Sequence, residues 1–198
     1  MTFHQLFPDI IYQTHIDDYE LIKKKFASKI INKFQHDPDE RAEWADNCST
    51  WQVEANSEIK NLFYVYFEQH VKKWFEYYNF DNVKYRVDMW INLHTHAMFQ
   101  DRHNHMVGGC ILCGNYNLLF HEKDRPLQFT TNREYAQLLD ILGIRLNHPQ
   151  ASKFSSDLID IKEGDLVLFA PTQEHQVPCA TEKHDGHRIT ISFNVVKY

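Results

Sequence analysis

The feature of the sequence that most constrains the fold is a change in hydrophobic period near Val83. Before this point, residues 17–33 and 57–78 carry apolar side chains every three or four positions, which is typical of amphipathic helices. After it, residues 84–93 alternate between apolar and other side chains, and a period of two predicts a strand. Helices therefore precede strands, and this order favours an α+β fold.

The sequence pattern also predicts loops, turns and further elements in the rest of the chain. Residues 35–47 are predicted to be a loop, residues 134–142 a short helix in an insertion, and residues 163–165 a tight turn. We predict one domain over residues 1–198, in which residues 1–82 form a helical support outside a sandwich or small barrel built by residues 83–198. The strands predicted after the first lie at 107–120, 127–131, 158–161, 166–169 and 188–196.

Composition narrows the functional classes. Hydrophobic residues make up 43% of the chain and charged residues 24%, which provides for a globular core. The net charge of −6 argues against a general basic surface for nucleic acid. No apolar run is long enough for a membrane span and no signal peptide is visible, so we expect a soluble, cytoplasmic protein.

The final predicted strand has two chemically different faces. A surface strand could carry such a polar face without any function. Here, however, an arginine heads the polar row directly after a turn rich in histidine, so the row could line a barrel that holds a small anion. The apolar face comprises Ile189, Ile191, Phe193 and Val195, and the polar face comprises Arg188, Thr190, Ser192 and Asn194.

Three histidines have spacing suited to a metal site. His103 and His105 form a His-x-His motif, and alternate side chains of an extended segment point the same way. His175 follows a predicted strand and a turn, and Arg188 comes thirteen residues later, which leaves room for a return strand. Each feature alone is a weak signal, but their combination and order predict a metal centre with an adjacent carboxylate-binding arginine.

With these residues the sequence resembles the 2-oxoglutarate/Fe(II) oxygenases, and more narrowly a family of small oxygenases of phages and marine bacteria. The resemblance covers nearly the whole chain, and it is most specific over residues 164–169 and 188–194. The similar segments are residues 6–8, 11–12, 49–52, 90–92, 103–105 and 113–118, then 163–171, His175 and 188–194.

The resemblance implies a double-stranded β-helix, also called a jelly roll, with eight core strands, and Fe(II), 2-oxoglutarate and O₂ as reactants. It implies that His103 and His175 bind the metal and that Arg188 pairs with the far carboxylate of 2-oxoglutarate. The other residues that it suggests for the cosubstrate pocket are Thr190, Ser192, Asn92 and either Asn117 or its neighbour Tyr116.

The sequence departs from the family pattern at the third metal ligand. Most of the wider superfamily has His-x-Asp or His-x-Glu, which completes two histidines and one carboxylate. Here His105 occupies the carboxylate position. His105 could be a ligand in a three-histidine site, Asp101 could replace it, or water could fill the position.

Three functional hypotheses follow. The first is a 2-oxoglutarate-dependent dioxygenase, for example a hydroxylase. The second is a cupin-type metal dioxygenase without 2-oxoglutarate, although cupins usually carry a glutamate where this chain has Gly109 or Cys110. The third is a metal- or ligand-binding module without catalysis. Neither the oxidation substrate nor the oligomeric state can be inferred from the sequence, and nucleic acid is not indicated.

Overall fold

The computed structural model describes residues 10–40, 49–80, 82–106, 108–130, 155–156 and 160–198. Within these ranges, no helix combines the length and apolar character needed to cross a membrane. The short helix predicted at 134–142 lies outside the described residues, as do the first two residues of the strand predicted at 158–161. Ile161, the end of that predicted strand, lies in an irregular segment.

Two helical segments precede most of the strands. In the first, Ile22, Phe26 and Ile30 recur every four residues and are all buried, so one face of the helix packs on the protein. At the start of the second, the Asn56 side chain accepts a hydrogen bond from the Ile59 amide at 3.0 Å and caps the helix. The elements are α1 (Tyr19–His36), then α2 (Ser57–Leu62), a π-helical turn (Phe63–Phe67) and α3 (Glu68–Tyr77) in direct succession.

Ten described strands form two antiparallel sheets. The larger has the order β1-β8-β5-β10-β3-β2, and the smaller has the order β4-β9-β6-β7. The strands are β1 (Ile11–His15), β2 (Trp51–Glu54), β3 (Tyr85–His94), β4 (Gln100–His103), β5 (Cys110–Leu119), β6 (Gln128–Thr130), β7 (Ser155–Ser156), β8 (Asp165–Phe169), β9 (His175–Val177) and β10 (Arg188–Lys197).

The outer face of the larger sheet packs against the helices. In β10, the predicted apolar face is confirmed, because Ile189, Ile191, Phe193 and Val195 are fully buried in the core that also contains the helices. The ring of Phe193 lies 5.2 Å from that of Phe63 and 5.8 Å from that of Phe67. Gly114 on β5 permits this packing, since a Cβ there would lie 2.1 Å from the Phe193 ring.

A second, smaller core lies on the other side of the larger sheet. It joins β5 and β8 of the larger sheet to β6 and β9 of the smaller one. Its edge-to-face contact between Phe129 and Phe169 has a centroid distance of 5.1 Å. The larger sheet is thus covered by helices on one face and by the smaller sheet on part of the other. The buried members are Cys113, Leu127, Phe129, Ile161, Val167, Phe169 and Val177.

The structure corrects the prediction that residues 1–82 are only a helical support. Strand β1 pairs with β8 and strand β2 pairs with β3, so this region also supplies two strands of the larger sheet. Both strands are short, and their partners are far away in sequence, so local periodicity gave little signal for them. The predicted strand 107–120 begins later, at Cys110, because Gly108 and Gly109 turn the chain with φ of 58° and 79°.

Candidate metal centre

Two short strands of the smaller sheet position the histidines. His103 ends β4 and lies directly opposite His175, which begins β9. His105 follows two residues after β4, and its backbone N–H donates to the carbonyl of Pro171 at 2.9 Å. This bond fixes the segment against the turn that precedes β9, so three imidazoles from two distant parts of the chain meet.

The three rings are close enough to share one metal ion. The ring centroids of His103 and His175 are 4.2 Å apart, those of His105 and His175 are 5.1 Å apart, and those of His103 and His105 are 5.4 Å apart. One nitrogen from each ring lies within 4.8 Å of the others. Among the described residues, this is the one group of three or more potential ligands that close together.

Hydrogen bonds fix which nitrogen of each ring is available. The Nδ1 of His103 lies 2.7 Å from the carbonyl of Asp101, and that of His175 lies 3.0 Å from the carbonyl of Gln173. A carbonyl can only accept, so Nδ1 carries the proton in both rings. His105 Nδ1 similarly donates to Oδ1 of Asn194 at 2.9 Å. Each ring therefore keeps the lone pair on Nε2, the arrangement found in histidines that bind metals.

Burial keeps the three rings neutral. It lowers the pKa of His103, and it lowers that of His105 to about 4 with a smaller contribution from the charge on His103. The pKa of His175 is lowered well below its usual range, again chiefly by burial. Since a metal binds the neutral imidazole, these shifts favour coordination over protonation.

Asp101 is not part of the cluster. Its side chain is exposed, and its contact with the site is the backbone carbonyl that accepts from His103. The prediction that Asp101 could replace His105 is therefore wrong for this structure. Successive side chains of an extended segment alternate, but the β4–β9 pairing is irregular between Gln100 and His103, which breaks the phase that the prediction assumed.

A cavity of about 1660 Å³ adjoins the histidines. Trp90 on β3 lies in its wall and stacks on His105, with 5.9 Å between centroids and 18° between planes. Asn194, which orients the other edge of His105, also lines the cavity. Neither residue is predicted for the metal site by the sequence pattern. The sequence does place Asn194 in the polar row of the last strand, which could have indicated a role in the site. The stacking of Trp90 depends on a contact between distant segments, which the sequence does not indicate.

The inner face of the larger sheet continues away from the metal centre as a polar lattice. Asn92 donates to Thr190 and Ser192 at 3.3 and 3.0 Å, and Asn115 donates to Ser192 at 2.9 Å. The Ser192 hydroxyl thus accepts twice and keeps its own proton to donate. Asn117, which lies opposite Thr190, donates to Asn115 at 3.3 Å, and its Oδ1 has no partner among the described residues.

Arg188 stands at the far end of this lattice. It is 2% exposed, Nη1 donates to the carbonyl of Arg125 at 3.0 Å, and the guanidinium lies over the Phe120 ring at 5.5 Å. Its Nε and Nη2 have no hydrogen-bond partner in the described part of the chain. Burial lowers the pKa of Arg188 to about 10, which still leaves it charged at neutral pH, and the carboxylate of Asp124 partly opposes this shift.

Tyr116 does not face the lattice. Its ring packs on Phe67 with 5.0 Å between centroids, in the core shared with the helices. Of the two neighbours considered for the cosubstrate, Asn117 therefore points inward and the prediction for Tyr116 is wrong. Burial raises the pKa of Tyr116 well above its usual range, in keeping with a phenol inside an apolar core.

Comparisons with known proteins agree with this geometry. A family model described as "Putative 2OG-Fe(II) oxygenase" matches residues 88–194. These residues include the histidine cluster and the polar lattice. No curated protein matches the sequence.

Solved structures resemble the chain in fold. The prolyl-4-hydroxylase of Pseudomonas putida has a TM-score of 0.63 at 11% identity, over 96% of this chain and 94% of that one. HygX of Streptomyces hygroscopicus, solved with nickel and 2-oxoglutarate bound, has a TM-score of 0.56 at 10% identity, over 95% and 82%. The viral collagen prolyl hydroxylase of Paramecium bursaria Chlorella virus-1, in its 2-oxoglutarate complex, has a TM-score of 0.55 at 11% identity, over 94% and 96%.

The matched residues cover more than half of the chain and contain the three histidines and Arg188. Three neutral imidazoles whose Nδ1 atoms carry the proton suit a divalent metal. A buried guanidinium with two N–H groups unpartnered among the described residues suits a carboxylate. The residues present thus fit the metal and the cosubstrate that define the matched family. The chain belongs to the 2OG-Fe(II) oxygenases, which depend on Fe(II) and 2-oxoglutarate.

Proposed function

We propose that this chain is an active dioxygenase that hydroxylates an organic substrate, and that its two sheets form a double-stranded β-helix. One observation carries the proposal. Neutral imidazoles cluster at one end of a polar lattice. A buried guanidinium, two of whose donors have no partner within the described ranges, stands at the other end. A molecule that binds a metal at one end and carries a carboxylate at the other would engage both ends.

In this proposal His103, His105 and His175 hold Fe(II) through their Nε2 atoms. When bound, the metal and 2-oxoglutarate supply the oxidising chemistry, in which 2-oxoglutarate and O₂ give succinate, CO₂ and one oxygen atom for the substrate. The carbonyls of Asp101 and Gln173 keep two of the rings in the tautomer that binds metal. Asn194 does the same for His105, and Trp90 limits the tilt of that ring.

The charge of the site is consistent with a dianionic cosubstrate. Three neutral histidines leave the full +2 charge of the metal, one unit more than a site with two histidines and a carboxylate. Arg188 adds a further positive charge in a buried position. The two carboxylates of 2-oxoglutarate would neutralise much of this charge, with one at the metal and one at Arg188.

The lattice would place the cosubstrate between these ends. Nε and Nη2 lie on one edge of the guanidinium, and this edge can donate two parallel hydrogen bonds to a carboxylate. Thr190 lies next to Arg188 along the lattice, with Asn92 and Asn117 opposite it on the two neighbouring strands, and Ser192 comes closer to the metal. We assign all four residues to the wall along which 2-oxoglutarate lies.

The remaining space would accept the substrate. A cavity of about 1660 Å³ is several times larger than a five-carbon diacid needs, since whole ligand pockets commonly measure about 300–1,000 Å³. Leu127, Phe129 and Phe169 form an apolar wall beside His175. Such a wall excludes water from one side of the metal, which protects reactive species from side reactions.

Turnover tests the proposal. The purified protein would be given Fe(II), 2-oxoglutarate and O₂, and succinate would be measured with and without mixtures of candidate substrates. We expect succinate formation that depends on Fe(II) and O₂, and we expect none from His175→Ala. The family match favours this function over a cupin reaction without 2-oxoglutarate. Absence of succinate under all of these conditions would favour the binding module that lacks catalysis.

A further inference from the structure

His94 is a buried histidine next to Arg188 that the proposed mechanism does not yet use. It ends β3 and lies directly opposite Arg188 in the β3–β10 register, which brings the two Cβ atoms to about 5 Å. It is 3% exposed, and its Nδ1 has no hydrogen-bond partner among the described residues. Burial lowers its pKa well below the usual range, with a further contribution from the charge of Arg188, so the ring is neutral.

Two opposing side chains therefore carry three polar atoms that lack a partner in the part of the chain that the structure describes. They are Nδ1 of His94 and Nε and Nη2 of Arg188. A buried polar atom without a partner costs free energy, and two neighbouring residues with this defect indicate a site that a ligand completes. A cation is excluded by the guanidinium, so an anion with two acceptor atoms is the chemistry that fits.

Thr50 allows the ring proton of His94 to lie on Nδ1, which then becomes a donor. Its Oγ1 lies 2.8 Å from Nε2 of His94 and 3.0 Å from the carbonyl of Phe99. With the proton of His94 on Nε2, the ring donates to Thr50 and the hydroxyl donates to Phe99. With the proton on Nδ1, the hydroxyl turns and donates to Nε2 instead. The Phe99 carbonyl keeps a donor in both states, because the amide of Ser49 also binds it at 3.1 Å.

We propose that His94 binds the far carboxylate of 2-oxoglutarate together with Arg188, with the ring proton moved to Nδ1 and Thr50 donating to Nε2. The inference rests on the function proposed above and adds a second donor to the same carboxylate. The carboxylate takes two hydrogen bonds from the free edge of the guanidinium and one from the imidazole. Without an anion, a proton on Nδ1 of His94 would face the N–H groups of Arg188, so the Nε2–H form is favoured. An anion between the two side chains accepts from both, and its binding therefore drives the tautomer change.

Comparison of two keto acids distinguishes carboxylate binding by His94 from a purely structural role of this residue. Anaerobic Fe(II) protein would be titrated with 2-oxoglutarate and with 2-oxobutyrate, which has the same metal-binding end but lacks the far carboxylate. We expect His94→Leu to weaken 2-oxoglutarate binding about 10- to 100-fold, the effect of losing a hydrogen bond to a charged group. Binding of 2-oxobutyrate should not change. His94→Gln, which keeps an N–H donor, should fall between the two proteins.

His70→Leu is the matched control. His70 is also buried, and it bonds to Tyr12 at 2.8 Å on the side of the larger sheet that faces the helices. Its replacement should change the affinity for neither keto acid. Equal 2-oxoglutarate affinity in wild type and His94→Leu would overturn this inference but not the proposed function. An equal loss of 2-oxoglutarate and 2-oxobutyrate affinity in His94→Leu would have the same meaning. Failure of the wild type to bind 2-oxoglutarate would remove the proposed function as well.

A second measurement uses the wild-type protein, so it does not depend on whether a variant folds. Histidine labelled with ¹⁵N reports by NMR which ring nitrogen carries the proton, and Zn(II) can replace iron for this purpose. In the Zn(II) protein we expect His94 to be protonated on Nε2, and addition of 2-oxoglutarate should move the proton to Nδ1. A ring that remains protonated on Nε2 in the complex would contradict the inference.

Discussion

The two faces of β10 show how one strand serves two purposes. On the outer face, Ile189, Ile191, Phe193 and Val195 contact helices and neighbouring strands and leave no polar atom to satisfy. On the inner face, Thr190 and Ser192 accept hydrogen bonds from Asn92, and the row ends at Arg188, two of whose donors have no partner among the residues that the structure describes. The apolar side chains of the outer face need no further partner. On the inner face, the side chains in the middle of the row bond to one another, whereas the two ends can still bind ligands.

The difference teaches where stability and function reside in this fold. Apolar packing on the outer face has no further partner to find, so changes there should alter the free energy of unfolding and little else. The open ends of the inner face carry buried polar atoms that a metal and a dicarboxylate can satisfy. Changes at those ends should alter binding far more than folding, and the predictions below test this separation.

The largest effect is expected at the metal end. His103→Ala and His175→Ala should each lower Fe(II) affinity by more than the roughly 10- to 100-fold loss that follows removal of a residue behind a ligand. His105→Ala should match them, because one of its ring nitrogens lies within 4.8 Å of those of the other two histidines. Metal titration of each variant measures the effect.

Two controls accompany the histidine variants. Asp101→Ala should leave Fe(II) affinity unchanged, because the exposed side chain stands outside the cluster and its contribution comes from the backbone. His36→Ala, which replaces an exposed histidine at the end of α1, should also have no effect. A large loss for Asp101→Ala with a small one for His105→Ala would reverse the assignment of the third ligand.

The next effect concerns the outer face. Phe193→Ala should lower the free energy of unfolding by about 3–5 kcal/mol, the usual cost of removing a buried aromatic side chain. Its contacts with Phe63 and Phe67 and its fit over Gly114 would all be lost. Denaturant unfolding of the metal-free protein gives the value. The folded variant should bind Fe(II) as the wild type does, and weakened metal binding would show that the faces are coupled.

A comparable effect is expected at the cosubstrate end. Arg188→Ala should weaken 2-oxoglutarate binding by about 2–5 kcal/mol, since it removes one partner of a buried, bidentate charge pair. Fe(II) affinity should change little, because the metal is held at the opposite end of the lattice. Arg188→Lys should recover only part of the loss, as an ammonium cannot form the two-pronged contact. Calorimetric titration of the anaerobic Fe(II) protein would show whether Arg188 is needed at all.

The smallest effect is expected at Asn194. Its Oδ1 accepts from Nδ1 of His105 and orients that ring, so Asn194→Ala should lower Fe(II) affinity about 10- to 100-fold. Asn194→Asp keeps an acceptor at this position and should bind the metal at least as tightly as the wild type. An unchanged affinity in Asn194→Ala would mean that Trp90 and the Pro171 carbonyl alone hold His105 in place.

The sequence predicted the parts of the site that follow from local periodicity. The alternation from Arg188 to Val195 gave both faces of β10, and the spacing of His103 and His105 gave two of the three clustered imidazoles. The turn before His175 marked the start of β9 correctly. All of these features depend on side-chain direction within one extended segment.

The parts that were missed depend on the register between distant strands. The stacking of Trp90 on His105 and the alignment of Thr50, His94 and Arg188 arise only when β2, β3 and β10 are paired. The choice between Asn117 and Tyr116 required the register of β5 with β10, which shifts irregularly near Thr190. A shift of one residue exchanges the two faces of a strand, so the sequence alone left this choice open.

The most direct test of the account is diffraction from crystals of the protein grown anaerobically with Fe(II) and 2-oxoglutarate, recorded at the iron absorption edge. We predict one anomalous peak bound by Nε2 of His103, His105 and His175, with the keto acid chelating the metal and its far carboxylate on Nε and Nη2 of Arg188. A peak at any other position, a carboxylate side chain in place of His105, or a cosubstrate turned away from Arg188 would contradict it.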